Sequence, residues 1–162
     1  MNTSQYPGVV VLALNPANVE QLRQLNLLFG RVFNDSDTYC SLPPRDEYVR
    51  RLLADPHTIV LVAVAGTDMA GGLVAYELCK FERERSEIYL YDLAVAEDFR
   101  RRGIASTLLQ RLCVIGAERG ASSVFVQADY VDAPAIALYE KFGIREEVLH
   151  FDIRPRSRST PP

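Results

Sequence analysis

Apolar positions along this chain switch between a period of two and a period near 3.6, and the switches mark its elements. The run "VVVLAL" from Val9 to Leu14 is short, apolar and β-branched, which predicts a strand. Asn15-Pro16 then supplies a cap and a first-turn proline, and Val19, Leu22, Leu25, Phe29 and Val32 recur behind it at helical spacing. "NDSDTYCSLPP" has no period and reads as a loop, and "RDEYVRRLLADP" is a short helix stopped by Pro56. "TIVLVAVA" and "AGGLVAYELC" flank Gly66-Thr67-Asp68 as an antiparallel hairpin, and "EIYLYDLAV" is a third long strand. A helix from Gly103 to Glu118 buries Ile104, Leu108, Leu112 and Ile115. "SSVFVQA" is a strand, "APAIALYEKF" a helix ended by Gly143, and "REEVLHFDI" a last strand.

The order β-α-α-β-β-β-α-β-α-β mixes hairpins with strand–helix–strand crossovers. The expected fold class is therefore α+β rather than a doubly wound sheet. Two crossovers near the C-terminus imply parallel neighbours there, joined with right-handed connections. At 162 residues the chain suits one domain, placed at 1–153. The Pro-, Ser- and Arg-rich tail at 154–162 is expected to be flexible.

Composition narrows the classes. With 48% hydrophobic and 24% charged residues the chain reads as an ordinary soluble globular protein, and no apolar stretch approaches a membrane span. The N-terminus lacks a basic leader and a small-residue cleavage site. Cys40, Cys79 and Cys113 are odd in number and widely spaced, and His57 and His150 are the only imidazoles. Neither a disulfide framework nor a metal site is expected, and a reducing cytoplasm fits best.

A net charge of −3 makes the run "FRRRGIAS" at 99–106 conspicuous. It lies where a strand hands over to a helix, and a helix N-terminus offers unpaired N–H groups and a positive dipole end. Gly103 lets a ligand approach the backbone, and Ala105 and Ser106 leave the first turn open. Arg100, Arg101 and Arg102 can close over a phosphate with paired hydrogen bonds. The run lacks the Gly-Lys-Ser/Thr ending of a P-loop and the three glycines of a dinucleotide fold. A diphosphate cradle and simple solvated charge are the two readings; a nucleic-acid groove is not expected.

On these residues the chain resembles the GCN5-related N-acetyltransferase (GNAT) superfamily. Arg100, Gly103 and Ala105 match its Gln/Arg-x-x-Gly-x-Gly/Ala signature, and Asp132, Ala135, Tyr139, Gly143 and Ile144 match the spacing of Asn-x-x-Ala-x-x-x-Tyr-x-x-x-Gly-Phe. Asp132 and Ile144 depart from it in residue type. The resemblance implies a strongly twisted mixed sheet with a splayed strand pair and acetyl-CoA as co-substrate. It implies that amides from Arg101 to Ser106, Ile104 included, hold the pyrophosphate. Leu93, Ala94 and Val95 would pair with the pantetheine arm like an added strand, and Asp132 would sit among the cofactor contacts. Tyr139 matches the usual proton donor to the CoA sulfur, with a purely packing role as the alternative.

The base is sought on "SEIYLYDLAV". Alternation sets Ile88 and Leu90 against Glu87, Tyr89 and Tyr91, and Asp92 breaks it where a bulge is plausible. Asp92 is the first candidate to deprotonate an incoming ammonium, or else an anchor for bulge amides. Glu87 is the second candidate. Asp37, Tyr91, Asp129, Glu146 and Asp152 are candidate substrate contacts, since an acidic edge would attract a polycation. At finer scale "EIYLYDLAV", "RRRGIAS", "VQADY" and "LFGRVFND" resemble the aminoglycoside 3-N-acetyltransferases, the gentamicin-modifying branch. That resemblance implies an aminoglycoside as substrate, Asp92 as base and a homodimer; polyamine or protein-lysine acetylation and a non-catalytic CoA sensor are the alternatives.

Overall fold

In the computed structural model, which describes residues 8–155, the chain divides into two units between Ala128 and Asp129. The first unit carries a sheet in the order β1 (Val9–Ala13), β2 (Thr58–Ala65), β3 (Asp68–Cys79), β4 (Ser86–Val95), β5 (Ala121–Val126). The first three junctions are antiparallel, and β4–β5 is parallel. This is the mixed α+β sheet the sequence predicts. The β2–β3 hairpin turns on Gly66-Thr67, with Gly66 at φ +62°, a conformation that favours glycine.

Helices α1 (Val19–Val32) and α3 (Asp46–Ala54) share one core with the sheet. Their Leu22, Leu25, Leu28, Phe29, Val49 and Leu53 pack with Val60 and Val62 of β2 and Ala94 of β4. Strand alternation turns Ile59, Leu61 and Ala63, all buried, to the other face. Helix α4 (Ile104–Arg119) covers that face with its predicted stripe of Ile104, Leu108, Leu112 and Ile115. A Cβ on Gly116 would come within 3.3 Å of Ile88 and 3.5 Å of Val124, so α4 lies tightly on β4 and β5.

At the centre of the sheet, Gly72 of β3 lies opposite Ala94 of β4 and Val62 of β2. A Cβ there would meet the Leu61 carbonyl oxygen at 2.8 Å and a Leu25 methyl at 2.5 Å. The carbonyl is backbone and cannot step aside. Gly72→Ala is therefore expected to lower unfolding free energy by about 1–3 kcal/mol in urea denaturation. A variant as stable as the parent would refute this close-packing account.

Two short elements lie where the sequence reads as irregular: α2 (Ser36–Tyr39), inside the expected loop, and a 3-10 turn at Glu97–Phe99. In the second unit α5 (Ala133–Tyr139) ends three residues before the expected boundary. The final strand expected at "REEVLHFDI" is not formed: residues 144–155 have no regular secondary structure and join no ladder. Glu146-Glu147 interrupts the alternation and Val148-Leu149 are adjacent, so the run specifies no register. Only the first of the two expected parallel crossovers is therefore present among the described residues. The expected flexible tail lies beyond residue 155, outside the described residues, except for Arg154 and Pro155.

Candidate active site

The site begins with a defect in β4. Val74 pairs with Asp92 but Ala75 pairs with Leu90, so Tyr91 is the extra residue of a bulge. Before the bulge, Ile88 and Leu90 point into the α4 core, and Ile88 touches the α4 surface near Gly116. After it, Ala94 belongs to the α1–α3 core. One inserted residue thus turns Asp92 away from α4 and toward the α1–α2 side. The alternation break noted in the sequence has this physical meaning.

On that side the Tyr39 hydroxyl, at the end of α2, donates to both Asp92 oxygens, at 3.1 Å each. The Tyr39 ring sits edge-on to Phe29 at 5.7 Å and tilted against Phe33 at 5.6 Å. Tyr76, Tyr89 and Tyr91 line the same sheet face, with Tyr91 edge-on to both others, and Tyr89 stacks on Phe125 at 5.0 Å. The Tyr89 hydroxyl reaches Gln127 Oε1 at 3.0 Å. Asp92 is half-buried among these rings. Burial pushes its carboxyl above the ordinary carboxylate value, while the Tyr39 hydrogen bond pulls the other way. Burial first, then the Asp92 charge, raises the Tyr39 phenol well above its ordinary value, so it stays protonated and donating.

Beyond Leu90 the strand keeps β3 as its one ladder partner among the described residues. Its pairing with β5 ends at Leu90↔Val126, whereas β4 continues to Val95 and remains paired only to β3. The edge of Leu93, Ala94 and Val95 that faces away from β3 thus has no ladder partner, as a splayed pair requires. The chain then passes the 3-10 turn and Arg100, whose Nε donates to the Val95 carbonyl at 3.4 Å. Arg101 and Gly103 both adopt left-handed backbone, at φ +62° and +74°. Arg102 lies over the Phe99 ring at 5.3 Å.

Gly103 is the N-cap of α4 and offers no side chain to its first turn. Thr107 is the first residue whose N–H bonds back, to Gly103 O at 3.0 Å, so the amides of Ile104, Ala105 and Ser106 have no intrahelical acceptor. Three uncapped amides, three guanidinium groups and a glycine backbone fit a diphosphate.

A model of the acetyltransferase (GNAT) family matches residues 22–144. The chain belongs to this family. Membership implies acetyl-CoA as the acetyl donor. The acetyltransferase is 53% identical to an aminoglycoside acetyltransferase from an uncultured soil metagenomic sample; the match covers 91% of this chain and 99% of that one, with a TM-score of 0.89. A second aminoglycoside acetyltransferase from a soil metagenomic sample, in complex with sisomicin, is 30% identical over 92% of this chain and 97% of its own, with a TM-score of 0.84. Among curated proteins, the [ribosomal protein bS18]-alanine N-acetyltransferase of Salmonella typhimurium is 33% identical over 44% of this chain and 49% of its own length. The streptothricin acetyltransferase of Streptomyces lavendulae is 30% identical over 56% of this chain and 45% of its own. The chain spans about half the length of these curated relatives.

The remaining predicted residues are distributed as follows in the acetyltransferase. Glu87 lies five residues before Asp92 on β4, roughly 16 Å along the strand, where Lys80 at 3.3 Å and Arg85 at 3.4 Å hold it. Asp37 is exposed on α2 and Tyr91 is exposed at the bulge. In the second unit Asp132 caps α5, accepting from Ala135 N at 3.1 Å, and Tyr139 closes that helix. Asp129 and Glu146 are exposed there, and Asp152 lies 3.2 Å from His150. Tyr39 is the residue that sequence reasoning missed. Its signal was present in Asp35-x-x-Thr38, where the Asp35 carboxylate caps α2 through Thr38 N at 3.0 Å. Among the described residues no helix is long and apolar enough to cross a membrane.

Proposed function

We propose that this enzyme acetylates the 3-amino group of 2-deoxystreptamine aminoglycosides, gentamicin among them, and so confers resistance to them. The substrate class rests on one observation, the 53% identity across nearly the whole length of an aminoglycoside acetyltransferase. In this reading Asp92 accepts a proton from the substrate ammonium, and the neutral amine attacks the thioester carbonyl carbon. The C–N bond forms as the carbonyl becomes an oxyanion; its collapse breaks the C–S bond, Tyr139 gives a proton to the departing thiolate, and loss of the second proton from the acetylated nitrogen makes up for the one Tyr139 gave. Asp92 is preferred to Glu87 because both Glu87 oxygens are engaged by cations, whereas Asp92 accepts from the Tyr39 phenol, a neutral donor that takes up few of the carboxylate's acceptor positions.

Leu93, Ala94 and Val95 offer main-chain groups to the pantetheine arm. Arg100, Arg101 and Arg102 join the amides through Ser106 on the diphosphate, and Asp132 is assigned to accept from an N–H or O–H of the acetyl-CoA with the oxygen that does not cap α5. Asp37, Tyr91, Asp129, Glu146 and Asp152 are assigned to the cationic substrate. The same reading makes the enzyme a cytoplasmic homodimer with one acetyltransferase domain through residue 153.

The test is product analysis. Acetyl-CoA is incubated with gentamicin, sisomicin, spermidine or a peptide with an N-terminal alanine, and released thiol is followed. Mass spectrometry and NMR then locate the acetyl group. Turnover of gentamicin with acetyl on the 3-amino nitrogen is expected; turnover of spermidine or peptide alone would overturn the assignment. Tyr139→Phe is expected to lower kcat by about 10²-fold, read by the same thiol release. An unchanged kcat would return Tyr139 to a packing role.

A further inference from the structure

Nothing in the proposed chemistry accounts for Tyr39, yet the fold builds a rigid support beneath it. Asp35 caps α2 through Thr38 N, Asp35 N donates to Gly30 O at 3.0 Å, and Cys40 N and Ser41 N both return to Ser36 O, at 2.9 and 3.0 Å. The turn presses onto α1 so closely that a Cβ on Gly30 would come within 2.6 Å of Cys40 Sγ and 3.5 Å of the Tyr39 Cβ. Phe29 and Phe33, themselves stacked at 5.4 Å, hold the Tyr39 ring. The hydroxyl so presented meets a carboxylate 53 positions away in sequence, on a different element.

We propose that Tyr39 is the positioning residue for Asp92: its hydroxyl fixes the plane of the carboxylate and ties the 35–41 turn to β4. The assignment rests on Asp92 being the base. One hydroxyl equidistant from both oxygens sets the carboxylate's rotation and consumes few of its roughly four acceptor positions. The other acceptor positions stay available for an ammonium. A donated hydrogen bond also favours the ionised form that a base requires, against the burial that opposes it. The Asp92 charge also acts on Tyr76 from β3 and Tyr89 from β4, and Tyr91 acts on all of Tyr39, Tyr76 and Tyr89. Asp35 acts on Tyr39, and Tyr48 of α3 on Tyr76.

The test is Tyr39→Phe, which keeps the ring and its contacts with Phe29 and Phe33 and removes only the donor. Thermal melting checks that the fold is retained. The pH profile of kcat/KM for acetyl transfer is measured beside that of Asp92→Asn, and the Asp92 carboxyl is titrated directly by 13C NMR in parent and Tyr39→Phe enzyme. The acid limb and the carboxyl midpoint are expected to move together to higher pH by about one unit, a roughly tenfold loss at the foot of the limb with at most about threefold on the plateau. A uniform loss at every pH with an unmoved midpoint would make Tyr39 merely structural and overturn the proposal. Should Asp92→Asn keep the parent's acid limb, Asp92 is not the base; the carboxyl midpoint then decides Tyr39 alone, a raised one supporting its hold on Asp92 and an unchanged one refuting it.

Discussion

Replacing Asp92 by Asn is expected to lower kcat/KM for aminoglycoside acetylation by about 10²- to 10³-fold while leaving the protein at least as stable as the parent near neutral pH. Both halves follow from the same burial. A half-buried carboxylate has its folded pKa raised above the ordinary 3.8, so its ionised form is less favourable in the folded protein than in the unfolded chain. The stability it contributes is complete below its unfolded pKa and is lost as pH rises through its folded one. Above that window the charge is a cost, which the amide does not carry. The Tyr39 hydroxyl can rotate to accept from the amide or keep donating to its oxygen, so the contact survives the exchange.

The activity follows the opposite sign. In the proposed role Asp92 works only when ionised, so kcat/KM in the parent should rise with pH through a midpoint above the ordinary aspartate value. In Asp92→Asn that limb disappears, and the remaining pH dependence is that of the amine itself. Steady-state profiles and melting curves on the two proteins suffice. Unchanged activity across pH 6 to 9 would remove Asp92 from the chemistry. A variant that melts well below the parent would mean that its hydrogen bonds matter to folding more than its burial costs.

How much of this could be read in the sequence depended on the range of the interaction. Asp92 was legible because a polar residue interrupts an alternating strand locally, and the bulge at Tyr91 is the backbone's response to that interruption. The α4 entry was legible because Gly103, the arginines and the first helical turn are contiguous. Tyr39 was not, since its meaning comes from a turn docked on α1 and delivered to a strand far along the chain. Asp35 could announce a cap but not what the cap would carry. The last strand was misread for a related reason: residues 145–153 have strand-forming side chains, but a strand exists only where a ladder receives it.

Gly103→Val is the second substitution with a large expected effect, and it acts on cofactor and backbone at once. At φ +74° a β-branched residue is strained by about 1–2 kcal/mol, so the melting temperature should fall. Its side chain would also stand at the cap of α4, beside the three open amides of Ile104, Ala105 and Ser106. If the diphosphate sits on these amides as proposed, calorimetric affinity for acetyl-CoA should drop roughly tenfold or more, since charge-assisted hydrogen bonds from the backbone to a phosphate would be blocked. Strain and obstruction are separated by Gly103→Asn. Asparagine visits left-handed backbone at lower cost than other residues with a Cβ, so this variant should recover most of the melting temperature but little of the affinity. If Gly103→Asn binds acetyl-CoA as the parent does, glycine is needed there for its backbone alone and the diphosphate lies elsewhere. If both variants bind weakly while only the valine is destabilised, close approach of the ligand to an uncapped helix is what the glycine provides.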